Sequence, residues 1–144
     1  MNTKRYGNIG EAKTLSKFVE LGIPVYVPFG DNEKTDLVIG IGNKLIKLQI
    51  KTCIAHTNGC SNFNVAAINY IKGKTNRHKY TKEEIDYFVL YDLEFDKLYM
   101  LEVPAIPINT ISLRHFKSKN PYVTNIKYAS DYEIDKVLPF LLNN

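Results

Sequence analysis

Asp36, Gln49 and Lys51 are an acid, an amide with a carbonyl oxygen and an ammonium, a set able to bind a hard cation and hold a water beside it. Their spacing lets them meet. The stretch Thr35 to Thr52, TDLVIGIGNKLIKLQIKT, holds two short apolar runs joined by Gly42 and Asn43, which predicts a β-hairpin. Side chains alternate along a strand, so Ile46, Leu48 and Ile50 take one face while Lys47, Gln49 and Lys51 take the other. On the first run Leu37, Ile39 and Ile41 make the apolar face, and Asp36 at the strand mouth points the opposite way. The three groups therefore converge. A solvated face of an ordinary antiparallel sheet carries the same pattern, so the hairpin alone leaves both readings open.

Glu11 is the fourth candidate. Residues Asn8 to Glu20, NIGEAKTLSKFVE, place Ile9, Ala12, Leu15, Phe18 and Val19 at helical spacing with Gly22 as a stop, which predicts a one-faced helix packed on a sheet. Glu11 lies early in it, beside Gly7 and Gly10, glycines that let backbones come close. Its neighbours at i+4 and i+7 are Leu15 and Phe18, so the carboxylate is expected at the border of the packed face. There it either meets a counter-charge or interacts with the helix amino terminus, worth roughly 0.3–1 kcal/mol.

The remaining elements follow from periodicity and turn chemistry. Pro24 to Pro28 reads as a short strand and Phe29 to Lys34 as a loop into the hairpin; Asn62 to Ala66 reads as a strand after a long turn from Cys53 to Ser61. Thr81 and Glu84 have capping-box spacing, as do Ser130 and Glu133, the latter opening a terminal helix perturbed by Pro139. Asp86 to Tyr91 and Leu98 to Val103 form a second hairpin, Pro104 and Pro107 mark an irregular edge, and Thr110 to Leu113 is one more strand. The order predicts an α/β or α+β fold with a mixed sheet.

The chain of 144 residues, 44% hydrophobic and 24% charged, fits one domain over 1–144 with a real core. No apolar run approaches the ~20 residues that span a bilayer, and the amino terminus lacks an apolar stretch, so a cytoplasmic protein with no membrane partner is expected. Cys53 and Cys60, with only His56 near, are too few for a zinc site of four protein ligands and read as free thiols, one disulfide being the alternative. The net charge is +4, and its distribution is uneven. Lys72 to Lys82, KGKTNRHKYTK, holds five Lys or Arg and no acid, and Arg114 to Lys119, RHFKSK, is a second basic patch. Each is either a solvated loop or a phosphate-contacting segment, and two patches fit a polyanion better than one.

In order, the chain presents Gly7-x-x-Gly10-Glu11 opening a helix, then Gly22 to Pro28, then Thr35-Asp36-Leu37-Val38, then Gln49-Ile50-Lys51-Thr52. Ile85 to Val89, Leu98 to Leu101, Ile111 to Arg114 and Ala129 to Tyr132 extend the pattern over most of the chain. This ordered set resembles the PD-(D/E)XK nuclease superfamily, and within it the group I intron-encoded homing endonucleases of that fold. Two positions depart: Thr35 stands where the superfamily name has proline, and Gln49 replaces the acid of (D/E)XK, so a neutral oxygen takes the place of a charged one.

The resemblance implies a restriction-endonuclease-like mixed β-sheet core flanked by helices, with an added β-hairpin. It implies Mg²⁺, with Mn²⁺ able to substitute, held by Glu11, Asp36, Gln49 and the backbone carbonyl of Ile50, while Lys51 steadies the attacking hydroxide and the phosphate. The reaction implied is hydrolysis of double-stranded DNA to 5′-phosphate and 3′-hydroxyl ends, by a homodimer or dimer of dimers, since one site cuts one strand. The candidate DNA contacts are Lys72, Lys74, Arg77 and Lys79 in one patch and Arg114, Lys117 and Lys119 in the other, with Arg77 reading guanine and the lysines touching phosphate. A Holliday junction resolvase, a restriction or mobile-element protein working with a partner subunit, and a noncatalytic DNA-binding module of the same fold are the alternatives; Gln49 is the feature that favours the last.

Overall fold

The computed structural model describes residues 2–30 and 33–143. Asn2 caps the first helix, its Oδ1 accepting the Arg5 N–H at 3.0 Å, and α1 runs over Thr3–Glu20, starting five residues before the expected Asn8. It ends in a Schellman turn: Gly22, at φ +71°, donates its N–H to Val19 and Ile23 donates to Phe18. The buried stripe of α1 is Gly10, Thr14 and Phe18, not the expected row of Ile9, Ala12, Leu15 and Val19. Leu15 and Val19 are 38% and 61% exposed. The cause is close approach: a Cβ on Gly10 would stand 2.1 Å from Thr52 Oγ1, so the helix docks through its small residues and turns the larger ones outward. Glu11 turns with them and is exposed, where the border of the packed face was expected.

The chain then enters the main sheet. β1, Val25–Tyr26, is shorter than the expected Pro24 to Pro28; the prolines have no N–H to donate, and Pro24 contributes only its C=O, which accepts the Gly40 N–H at 2.9 Å. The loop expected over Phe29 to Lys34 includes Asp31 and Asn32, which lie outside the described residues. β2, Leu37–Ile41, and β3, Lys44–Cys53, form the expected hairpin, with Leu37 opposite Leu48 and Gly42 at φ +59° opening the two-residue turn. The supposed long turn from Cys53 to Ser61 contains β4, His56–Thr57, which pairs with β5, Cys60–Asn64; β5 therefore begins two residues before the expected strand.

The basic segment is not a loop. β6, Ala67–Ile71, and β7, Lys74–His78, make an exposed two-stranded ribbon whose turn is Lys72 and Gly73, both at positive φ. β8, Tyr87–Asp92, and β9, Lys97–Glu102, form the second expected hairpin, and β10, Thr110–Arg114, pairs with β5. The Thr81–Glu84 box forms as a single turn, with the Thr81 N–H on Glu84 Oε1 at 3.0 Å. The Ser130–Glu133 box does not form. A 3₁₀ turn over Ala129–Asp131 precedes α2, Ile134–Leu142, and Glu133 places its carboxylate on Lys97, 2.8 Å away, instead of capping. α2 continues past Pro139 to Leu142.

The main sheet has the order β1-β2-β3-β8-β9, with β3 and β8 parallel and the other pairs antiparallel, beside a sheet β10-β5-β4. This is the mixed α+β fold that the sequence predicts. Alternation along β8 and β9 divides the interior. Val89 and Met100 join Leu37, Ile39, Leu48, Ile50, Phe18 and Leu138 on the helix side, while Phe88, Leu90, Tyr99 and Leu101 join Phe63, Val65 and Leu113 against the small sheet. Gln49 and Lys51 lie opposite Phe88 and Leu90 across the parallel pairing, so they project on the small-sheet side of β3.

Candidate metal and phosphate site

A pocket of about 320 Å³ opens where the amino-terminal half of α1 passes the mouth of the β2–β3 hairpin. Its walls include Glu11, Asp36, Gln49, Ile50 and Lys51, so all the residues expected in one site are brought together. The hairpin register does most of this. Asp36 N–H donates to Leu48 C=O at 2.8 Å, and Asp36 Oδ2 accepts the Ile50 N–H at 2.9 Å, which fixes the carboxylate against β3 and leaves Oδ1 directed elsewhere. Gly7 also lines the pocket. A Cβ there would meet nothing within 4 Å, so Gly7 keeps the mouth open, whereas Gly10 serves close packing.

The charges in the pocket are poorly compensated. Burial pushes the Asp36 carboxyl above its ordinary value, with the Ile50 N–H and the Lys51 charge pulling it back in part. Glu11 reaches solvent at the rim, yet the neighbouring protein removes enough water to raise its pKa, and the Asp36 charge adds to the rise. Burial lowers the Lys51 pKa, with Asp36 opposing. Gln49 is 7% exposed, and its Oε1 is buried with no hydrogen-bond partner among the described residues. Two carboxylates that repel each other beside an orphaned carbonyl oxygen fit a divalent cation, which would relieve both defects at once.

Tyr80 is the member of the site that sequence reasoning missed. The Lys51 Nζ stands 5.6 Å from the Tyr80 ring centroid, so the aromatic face positions the ammonium. Burial, then the Asp36 and Glu84 charges, push the Tyr80 hydroxyl up to about 12, and it stays protonated. Tyr80 lies inside the basic run, just before the Thr81 turn, with no periodicity around it to mark it.

The basic residues divide into two settings. Lys72 is in the ribbon turn, Lys74 and Arg77 are on β7 and Lys79 follows it, all exposed. Lys117 and Lys119 are exposed beyond β10. Arg114 is half-buried, its Nε donating to Phe116 C=O at 2.8 Å, so it braces its own loop. Among the described residues both cysteines are free, and no helix is long and apolar enough to cross a membrane.

A mixed sheet whose hairpin presents an acid at its mouth and, on the return strand, an oxygen-bearing side chain two residues before a lysine has the organisation of a PD-(D/E)XK nuclease. The PD-(D/E)XK endonuclease family matches residues 1–135, and the chain belongs to it. Nucleases of this family generally use divalent metal ions. No curated protein matches the chain. Among solved structures, the bacterial homing endonuclease I-Ssp6803I is similar with a TM-score of 0.79, covering 99% of this chain and 95% of that one at 20% identity. That likeness establishes a shared restriction-endonuclease-like fold.

Proposed function

We propose that this chain is a Mg²⁺-dependent DNA endonuclease of the homing type, acting inside the cell as a single-domain protomer of a dimer or dimer of dimers. The observation that carries the reading is the convergence of Glu11, Asp36, Gln49, Ile50 and Lys51 on one open pocket. Family membership supports phosphodiester hydrolysis, and the fold shared with a homing endonuclease supports DNA as the substrate and homing as the role.

Glu11 and Asp36 would hold the cation, with Gln49 Oε1 and the Ile50 carbonyl as neutral oxygens. Mg²⁺, or Mn²⁺ in its place, supplies polarisation of a phosphoryl oxygen and acidification of a water. Asp36 is pre-oriented by the Ile50 N–H, so one of its oxygens remains for this task. Lys51, steered by Tyr80, places its ammonium where negative charge grows on the phosphate, a contribution worth about 10²–10³ in rate for a single well-placed donor. Lys72, Lys74, Arg77 and Lys79 on the ribbon contact the duplex, a two-stranded ribbon being of a size that the major groove admits. Lys117 and Lys119 add phosphate contacts, and Arg114 shapes their loop. The products are 5′-phosphate and 3′-hydroxyl ends.

Nicking of supercoiled plasmid, with Mg²⁺ or with chelator, compares the wild type with Asp36→Ala and Lys51→Ala. Cutting should require the metal and fall in both variants. Equal activity in all three proteins, or activity in chelator, overturns the assignment. Light scattering at micromolar concentration should give at least twice the chain mass.

A further inference from the structure

Cys53, His56, Asp92 and His115, which do not line the Glu11–Asp36 pocket, meet at the carboxyl ends of β3 and β8, just beyond Lys51. Cys53 ends β3 and Asp92 ends β8, side by side across the parallel pairing. His56 stands on β4 opposite Ser61 of β5, and His115 follows β10, anchored by its backbone N–H on Gly59 C=O at 3.0 Å. Cys53 is 1% exposed and Asp92 fully buried. Both imidazoles turn Nε2 toward one carboxylate oxygen: His56 Nε2 lies 2.8 Å and His115 Nε2 3.8 Å from Asp92 Oδ2. The ligand atoms of Cys53, His56 and Asp92 all lie within 4.8 Å of one another.

The outer nitrogen of His56 is informative. Nδ1 meets Glu94 Oε2 at 2.7 Å, so both nitrogens of this ring face carboxylate oxygens. Such a ring is fixed in orientation from both sides. A carboxylate on the outer nitrogen, fixing the tautomer and aiming the inner one, is how metal-bound histidines are held. Ser61 Oγ contacts Asp92 Oδ2 and also lies 2.5 Å from His115 Nε2, and the Glu94 and Phe95 N–H groups donate to Asp92 Oδ1 at 3.0 and 3.1 Å. The two N–H groups thus hold Oδ1 from behind, while the Ser61 hydroxyl bridges Asp92 Oδ2 and His115 Nε2 and would turn aside as an ion enters.

We propose that Cys53, His56, Asp92 and His115 form a structural zinc site. A tetrahedron with zinc–ligand bonds of 2.0–2.3 Å has edges of about 3.3–3.6 Å, and the two histidine–aspartate separations bracket that range. Four protein ligands in a closed, buried position leave no place for a substrate. A thiolate and two imidazoles choose zinc over Mg²⁺, in contrast to the all-oxygen acids of the other pocket. On binding, Cys53 gives its thiol proton, now directed at Ala55 C=O at 3.0 Å, to solvent, and zinc takes the sulfur lone pair. The ion ties the ends of β3 and β8 to β4 and to the segment after β10, two residues from Lys51 and at the start of the Arg114–Lys119 patch.

The test uses the full chain carrying Asp36→Asn, so that zinc in the other pocket does not contribute. After equilibration with micromolar zinc and gel filtration, about one equivalent should remain per chain, and Co²⁺ in its place should give tetrahedral visible bands with a thiolate charge-transfer band that Cys53→Ser removes. Glu94→Gln, a surface change, should weaken zinc binding about 10–100-fold with the fold intact by circular dichroism. Retention below about a tenth of an equivalent, or an octahedral cobalt spectrum lacking the sulfur band, overturns the proposal and leaves a hydrogen-bonded cluster. Unchanged affinity in Glu94→Gln and His115→Asn overturns it as well. None of these readouts depends on DNA cleavage.

Discussion

Gly10→Ala separates close packing from helix propensity. In an isolated helix alanine is favoured over glycine by roughly 1 kcal/mol. Here the added Cβ would lie 2.1 Å from Thr52 Oγ1 and 3.4 Å from Tyr91 Cβ, so either Thr52 turns or α1 retreats from β3. Overpacking of this kind costs about 1–3 kcal/mol, which predicts a net loss of about 1 kcal/mol for the single variant. Thr52 supplies the control. Its Oγ1 is buried and unpartnered among the described residues, so Thr52→Ala removes a desolvated hydroxyl as well as a methyl and should be close to neutral. In the double variant the first contact is gone and only ordinary van der Waals distances remain, 3.4 Å to Tyr91 Cβ and 3.5 Å to the Cβ of residue 52, so Gly10→Ala should become neutral or stabilising, with a coupling of about 2 kcal/mol. Urea unfolding of the four proteins, with a constant m-value, measures this. Additive effects, or a Gly10→Ala variant as stable as the wild type, would show that α1 does not dock by backbone approach at this position.

Three other outcomes follow from the same geometry. Asp36→Asn keeps an acceptor for the Ile50 N–H and removes a carboxylate whose folded pKa is raised; such a group weakens the native state once ionised, so in chelator the variant should melt above the wild type at neutral pH, and a lower Tm would contradict the electrostatic reading. Glu84 is pushed up by burial but held down to about 2 by Lys34, the Thr81 N–H and His78, so its contribution is present above 4.5 and lost as pH falls toward 2; acid unfolding of Glu84→Gln should lack that component, which a pH titration of stability reads. Arg77→Ala should lower the slope of log affinity against log salt by about 0.9 for duplex DNA, and an unchanged slope in a fluorescence titration would remove the ribbon from the interface.

The part of the site that could be read from sequence is the part set by strand alternation. Asp36, Gln49 and Lys51 share a side because the side-chain period in a hairpin is two and the Gly42–Asn43 turn fixes the register. Glu11 was found by type and position, but its setting was misjudged, since an apolar-spacing rule gives no weight to Gly10 and Thr14 as packing residues. The basic run from Lys72 to Lys82 gives no strand signal because both faces of the β6–β7 ribbon are exposed and no burial pattern is imposed on it. The Cys53, His56, Asp92 and His115 cluster was illegible for a different reason. Its last three members are separated by 36 and 23 residues and meet only through the pairing of β3 with β8 and of β5 with β4 and β10.

Asp36, half-buried at the mouth of the β2–β3 hairpin, and Asp92, fully buried at the end of β8, have opposite electrostatics. Burial raises the pKa of Asp92 less than its donors lower it: Ser61, His56 and the Phe95 N–H surround it, and the net shift is downward. Asp36 receives one backbone N–H and a partly desolvated ammonium, and its net shift is upward. The Asp92 cluster therefore has its charge stabilised by its neighbours, while the pocket beside it sets two acids, a lysine and an unpartnered amide in a conflict that the proposed cation would relieve. In the proposed metal-dependent enzyme, cation binding at such a site would be coupled to stability, because the free energy withheld from the metal-free state would be returned on binding.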